Sequence, residues 1–176
     1  MRPALLCLCL APLPAPLAAE VAYDPARFAI EQGVFCDVPS VGEVAAPGTA
    51  AGKIELFDVM PEFQWRTDVV PAVPDVSFGV KSSAIDGQLY DGVILSLEHP
   101  PFRESGHTRQ AYVTELGGSG TSINAYTFDL PEERVPGLWI IRAEREGELL
   151  YEARFQVVPA DLAPEIAAVC GGLPLS

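Results

Sequence analysis

The stretch that decides the fold is Leu138–Val158, LWIIRAEREGELLYEARFQVV. Trp139, Ile141 and Ala143 share one parity. Beyond Glu146-Gly147-Glu148, Leu149, Tyr151, Ala153, Phe155 and Val157 share another. Successive side chains on a strand point to opposite faces, so a period of two marks two strands with one buried face each. Gly147 supplies the positive φ that a tight hairpin turn requires. Arg142, Glu144, Glu146, Glu152 and Arg154 then fall on the solvent face. Cross-strand charge pairs there add tenths of a kcal/mol to about 1 kcal/mol each.

Upstream, the same alternation recurs. Phe28, Ile30, Val34 and Cys36 share a parity, with Gly33 marking a bulge or a close backbone approach. Pro39–Ala51 is rich in Gly, Pro and Ala and reads as a connecting loop, after which Lys53–Val59 resumes a strand-like run. Val76, Phe78 and Val80 alternate, then Val93, Leu95 and Leu97, and two further runs cover Tyr112–Leu116 and Ser122–Asp129. The best helix signal is Asp161–Val169, with Pro164 acceptable in a first turn and Gly171-Gly172 able to stop it. About seven to eight short strands separated by turn residues predict an all-β chain, folded as an antiparallel β-sandwich over residues 28–158. Residues 20–27 form a lead-in, and residues 159–176 a tail carrying the short helix.

Residues 1–19 read as a signal peptide. Met1-Arg2 gives a charged start, Pro3–Leu17 is apolar, and small residues precede a cut expected after Ala19. A membrane span needs about 20 apolar residues. This run is shorter and is interrupted by Pro12, Pro14 and Pro16, and no second run of spanning length follows. The mature chain is therefore expected to lack a transmembrane segment and to be periplasmic or secreted. Cys7 and Cys9 follow leucines inside the apolar run, not the small residue that lipid attachment requires. Of the four cysteines, Cys36 and Cys170 remain after cleavage. In an oxidising compartment they are expected to form one disulfide tying the start of the domain to its tail, the alternative being two buried free thiols. The chain-entropy model assigns such a long loop roughly 4–5 kcal/mol.

Composition narrows the partners. The chain has 24 acidic and 11 basic residues, a net charge of −13, and only Lys53 and Lys81 as lysines. Nucleic acids and anionic lipid surfaces are bound through basic faces, so this balance argues against both. A hydrophobic fraction of 49% is enough for a core and far from that of a disordered chain.

Four stretches resemble a known family: Phe78-Gly79, His99-Pro100-Pro101-Phe102, Pro136-Gly137-Leu138-Trp139 and Phe155-Gln156-Val157. Together they are similar to the bacterial exported family described as a domain of unknown function, DUF3859, over roughly residues 28–158. The resemblance implies an immunoglobulin-like sandwich. It implies no activity, because no catalytic or binding residues are recognised for that family.

The residues themselves offer few chemical constellations. His99 and His107 flank a loop with Glu98, Arg103 and Glu104, but their spacing fits no familiar metal motif. Gly117-Gly118-Ser119-Gly120 lacks the last glycine of a nucleophile turn, which Thr121 replaces, and reads as a hairpin loop. Glu132-Glu133, Asp86, Asp91, Glu144 and Glu146 could include an acid–base pair, yet in an acidic chain most are surface. No catalytic residue, metal ligand or cofactor site is assigned. One apolar segment, running from Phe63-Gln64-Trp65-Arg66 to Val69–Pro74, is barred by its prolines from a central strand. It either caps the sandwich or presents Trp65, Val70 and Val73 to a protein or glycan partner. The reading is a non-catalytic binding or assembly module of the cell envelope. The alternatives are a carboxylate-based hydrolase and a periplasmic assembly chaperone.

Overall fold

Trp139, Ile141 and Ala143 are buried, and so are their cross-strand partners Phe155, Ala153 and Tyr151. The deciding hairpin thus packs the face its alternation predicts. The computed structural model describes residues 21–172. The signal peptide expected at residues 1–19 lies outside the described residues. Among the described residues, eleven strands and one α-helix follow in order, with 3-10 turns at Pro131–Glu133 and Ala160–Leu162: β1 (Ala22–Tyr23), β2 (Phe28–Cys36), β3 (Gly42–Ala45), β4 (Lys53–Leu56), β5 (Val69–Pro71), β6 (Val76–Ala84), β7 (Leu89–Glu98), β8 (Arg109–Gly117), β9 (Thr121–Thr127), β10 (Gly137–Arg145), β11 (Glu148–Val158) and α1 (Pro164–Cys170).

The strands form a six-stranded sheet in the order β1-β11-β10-β7-β8, with β5 also paired to β11. Facing it is a three-stranded sheet, β2-β6-β9, and β3 and β4 form a separate pair. All pairings are antiparallel except β5 with β11, which is parallel. The number of strands exceeds the seven to eight expected because β1, β3 and β5 are short pieces of two to four residues. Phe78 of β6 joins the sheets. Its ring lies 5.6 Å from Trp139, edge-on, and 4.9 Å from Phe155. Full burial of side chains of this kind contributes roughly 1.5–3 kcal/mol each.

Gly33 marks a close approach, not a bulge. The β2–β6 register runs without a break from Phe28↔Ala84 to Cys36↔Val76. A Cβ at Gly33 would lie 2.6 Å from the Trp65 carbonyl oxygen and 2.7 Å from Phe63 Cγ. The segment carrying these residues straps the outside of the three-stranded sheet, and Val34 and Trp65 exchange backbone hydrogen bonds of 2.9 and 3.1 Å. Lys81 is therefore buried. Its ammonium donates to Glu62 at 3.0 Å and lies 5.2 Å from the centre of the Phe63 ring.

Three local expectations are corrected. The loop expected at Pro39–Ala51 contains β3, which pairs with β4 from Gly42↔Leu56 to Ala45↔Lys53. The strand-like run at Lys53–Val59 ends at Leu56. In β11, Leu150 replaces Leu149 in the core, at 2% against 44% exposure. The register slips there, Ala143 opposing Tyr151 while Glu144 opposes Leu149, so Leu150 is the extra residue of a β-bulge. The turn itself has two residues, Glu146 and Gly147, both with positive φ, as a tight hairpin requires.

At the tail, Pro164 opens α1 and Ile166 and Ala167 are buried beneath it. Cys170 is disulfide-bonded to Cys36, with Cα atoms 4.9 Å apart. The bridge fixes the helix against the end of β2.

A cavity between the sheets

The chain passes from the six-stranded to the three-stranded sheet through the turn joining β8 and β9. Along this side the sandwich is closed by the β3–β4 hairpin. The hairpin is anchored to β8 at two points: the Ala111 N–H donates to the Gly48 carbonyl at 2.9 Å, and the Ala50 N–H donates to Gln110 Oε1 at 2.6 Å. Beneath it lies a cavity of about 600 Å³. Leu95, Leu97 and Ile141 form one wall, Ile123 to Thr127 of β9 the other, and Ile54 lies on the hairpin side.

Polar groups converge within this apolar frame. The Tyr112 hydroxyl donates to Asn124 Oδ1 at 3.1 Å, and Asn124 Nδ2 donates to the Tyr151 hydroxyl at 2.9 Å. Burial pushes the Tyr112 phenol up to about 12. Tyr126 Oη is buried near Gln110 and Glu133 and makes no hydrogen bond of normal geometry. Burial, reinforced by the Glu133 charge, keeps this phenol protonated far above its ordinary range. The cavity therefore holds neutral hydroxyls that can donate or accept.

Charged side chains also line the cavity: Glu55, Asp58, Asp129 and Glu133, with Lys53. Glu133 is only 2% exposed, and its Oε2 accepts the Leu130 N–H at 3.0 Å. Partial desolvation pushes the Asp129 carboxyl up to about 6, and the charges of Glu133, Glu55 and Asp37 push in the same direction. Lys53 opposes that shift only weakly, because its ammonium is engaged by Glu43 and Glu55.

Most side chains singled out in the sequence lie elsewhere. The buried His99 ring stacks on Phe102 at 3.9 Å and on Trp139 at 4.7 Å, with Nδ1 against the Pro100 carbonyl at 2.9 Å. Burial lowers its proton affinity, so it is a neutral packing element at neutral pH. Among the described residues, no group of three His, Cys, Asp or Glu side chains is placed to hold a metal ion. Gly117 and Gly118 turn the chain between the sheets with positive φ. Asp86 accepts from the Tyr90 hydroxyl at 2.6 Å and from the Gln88 N–H at 3.0 Å. Val70 and Val73 are buried, at 0% and 5% exposure, while Trp65 is half-buried against β2. That segment caps the fold from within, so Val70 and Val73 offer no surface to a partner.

Of the acidic residues that line the cavity, only Glu133 stood among the sequence candidates. Asn124 carried a usable signal. It sits on the same parity as Tyr126 and Phe128, where an apolar residue belongs, and a polar residue on a core face is the informative exception. The cavity joins parts of the chain that are far apart in sequence, and no local pattern reports that.

Fold and cavity together define an immunoglobulin-like β-sandwich with a ligand-sized space between its sheets. The chain belongs to the family described as Domain of unknown function (DUF3859), which matches residues 25–157. A solved structure, an immunoglobulin-like protein (PA1606) from Pseudomonas aeruginosa, is similar with a TM-score of 0.54 and 25% sequence identity. The similarity covers 81% of this chain and 100% of that one. No curated protein matches.

Proposed function

We propose that this chain is a non-catalytic binding module of the cell envelope, periplasmic or secreted, and that the space under the β3–β4 hairpin holds its ligand. The cavity carries this reading. Packed interiors leave few voids larger than a water molecule. This one, at about 600 Å³, falls among small-molecule sites, which span roughly 300–1,000 Å³ and combine apolar walls with a few placed polar groups. The disulfide and the signal-like residues 1–19 support an oxidising compartment. A protein or glycan partner has less support, since the apolar segment expected to present it is folded inward at Val70 and Val73.

The apolar fluorescent probe N-phenyl-1-naphthylamine tests the reading. Saturable enhancement is expected with the native chain and should be lost in Leu97→Trp, which fills the cavity, with near-ultraviolet circular dichroism confirming the fold. Leu95→Trp fills it from a neighbouring position and serves as a second variant. Equal enhancement in the native chain and both folded variants would overturn the proposal.

One observation favours the carboxylate hydrolase as a second reading: Asp129, held at about 6, and buried Glu133 both line the cavity, and the Glu133 charge acts on Asp129. General acids work best with proton affinities close to ambient pH. Mass spectrometry of a ligand recovered after incubation separates the two. A binding module returns it intact, and a hydrolase returns two products.

A further inference from the structure

We propose that His99 is a pH switch for the β3–β4 hairpin: a proton taken up by its ring releases the hairpin loop from β8. This goes beyond the ligand reading and does not rest on it.

The coupling runs through one amide. Gln110 of β8 is buried, and its Oε1 accepts the Ala50 N–H of the hairpin loop at 2.6 Å. A backbone N–H only donates, so this contact fixes which end of the amide carries the oxygen. Gln110 Nε2 is thereby turned toward His99 Nε2, 3.5 Å away. The other ring nitrogen, Nδ1, lies 2.9 Å from the Pro100 carbonyl, which only accepts. Nδ1 therefore carries the proton of the neutral ring, and Nε2 presents a lone pair to the amide. A second proton must go on Nε2, where it opposes the Gln110 N–H, donor against donor. The ring is held in place by stacking on Phe102 at 3.9 Å and on Trp139 at 4.7 Å, so the amide is the partner that turns. Once reversed, its oxygen accepts from the charged ring and its Nε2 opposes the Ala50 N–H. One amide oxygen serves either the imidazolium or Ala50, and protonation and anchoring exclude each other.

The hairpin is built to respond. Among the described residues, β3 and β4 pair only with each other, and the loop between them is otherwise held to β8 by the Gly48 carbonyl. Val44, Thr49, Ala51 and Ile54 of the hairpin line the cavity, so release loosens one of its walls. The surrounding charges do not offset an imidazolium. His107, on the same loop, acts against protonation. Glu98 is engaged by Arg142 at 2.7 Å and lies opposite Arg109, and Glu133 accepts the Leu130 N–H. Tyr126, whose hydroxyl lies near Gln110, stays neutral. Burial and His107 lower the proton affinity of the ring, which places the release in acid.

Asp129 also titrates, at about 6, among Glu133, Glu55, Asp37 and Lys53, so the test assigns the response by residue. Amide exchange at Ala50 is followed between about pH 7.5 and about pH 4.5, with the His99 ring monitored by NMR. The Ala50 protection factor, which removes the intrinsic effect of pH on exchange, is expected to fall about fivefold in step with the His99 titration. Asp129→Asn should keep this step. His99→Phe, which retains a stacking ring, should abolish it and leave Ala50 protected throughout. Gln110→Ala should set Ala50 at its acid level already at about pH 7.5, with no further step. Near-ultraviolet circular dichroism confirms that each variant is folded. A step that persists in His99→Phe or in Gln110→Ala, or that vanishes in Asp129→Asn, would overturn the proposal. So would a His99 ring that gains its proton without loss of Ala50 protection, or that gains none by about pH 4.5.

Discussion

Asp129 is a charge without which the fold would be more stable. Its carboxyl binds a proton more tightly in the folded chain, at about 6 against an ordinary 3.8. Its contribution is therefore fully present below about pH 3.8 and is lost as pH rises through about 6. Asp129→Asn is expected to raise stability at about pH 7.5 by up to about 1–2 kcal/mol, allowing for solvent screening of this exposed carboxyl. The gain should vanish near pH 4, and urea midpoints at the two pH values check it. At this scale the sequence was partly legible. Gly33 announced a special backbone position, and the structure fills it with Phe63 and Trp65. Leu149 was placed in the core by parity alone, and the bulge that moves Leu150 there is invisible to a strict period of two. Asn124 interrupts an apolar face, but its partners Tyr112 and Tyr151 come from other strands, and only the fold brings them to it.

Among the elements, long strands with one buried face were read correctly because burial writes itself into alternation. Short elements were not. β3 exposes three of its four residues, so it buries no face and carries no pattern. Its place depends on contacts with β8, and one of these is a single side chain. Gln110→Ala removes the acceptor of the Ala50 N–H. Amide exchange at Ala50 is expected to accelerate by about fivefold, in keeping with the loss of one hydrogen bond worth about 1 kcal/mol. Unchanged protection would mean the Gly48–Ala111 contact alone holds the hairpin. β5 is the opposite case, a three-residue strand with Val70 fully buried beside β11. Val70→Asp places an unpaired carboxylate in the core and should lower stability by about 3–5 kcal/mol, read as a fall in urea midpoint.

For the whole molecule, alternation and cysteine arithmetic reached an antiparallel β-sandwich with a Cys36–Cys170 bridge, and the family resemblance supplied its immunoglobulin-like class. Reduction, or the Cys36→Ser and Cys170→Ser pair, is expected to lower stability by about 2–5 kcal/mol, seen as a lower melting temperature that the reductant no longer changes in the double variant. The cavity stayed illegible at this scale because it is a property of how two sheets and a hairpin fail to fill space, and composition does not record unfilled space. The edges tell a related story. β1 and β5 cover successive parts of the outer edge of β11, the Gly48 loop covers β8 at Ala111, and Trp65 covers β2 at Val34.

The bridge also changes the connectivity of the molecule. Cys36 and Cys170 are 134 positions apart in sequence, so β2's last residue through the end of α1 forms a covalent ring, with β1 and most of β2 as a stem. A single proteolytic nick in any exposed turn of that ring opens the circle and releases nothing. The nicked chain keeps its mass and migrates as one species until a reductant separates the two pieces.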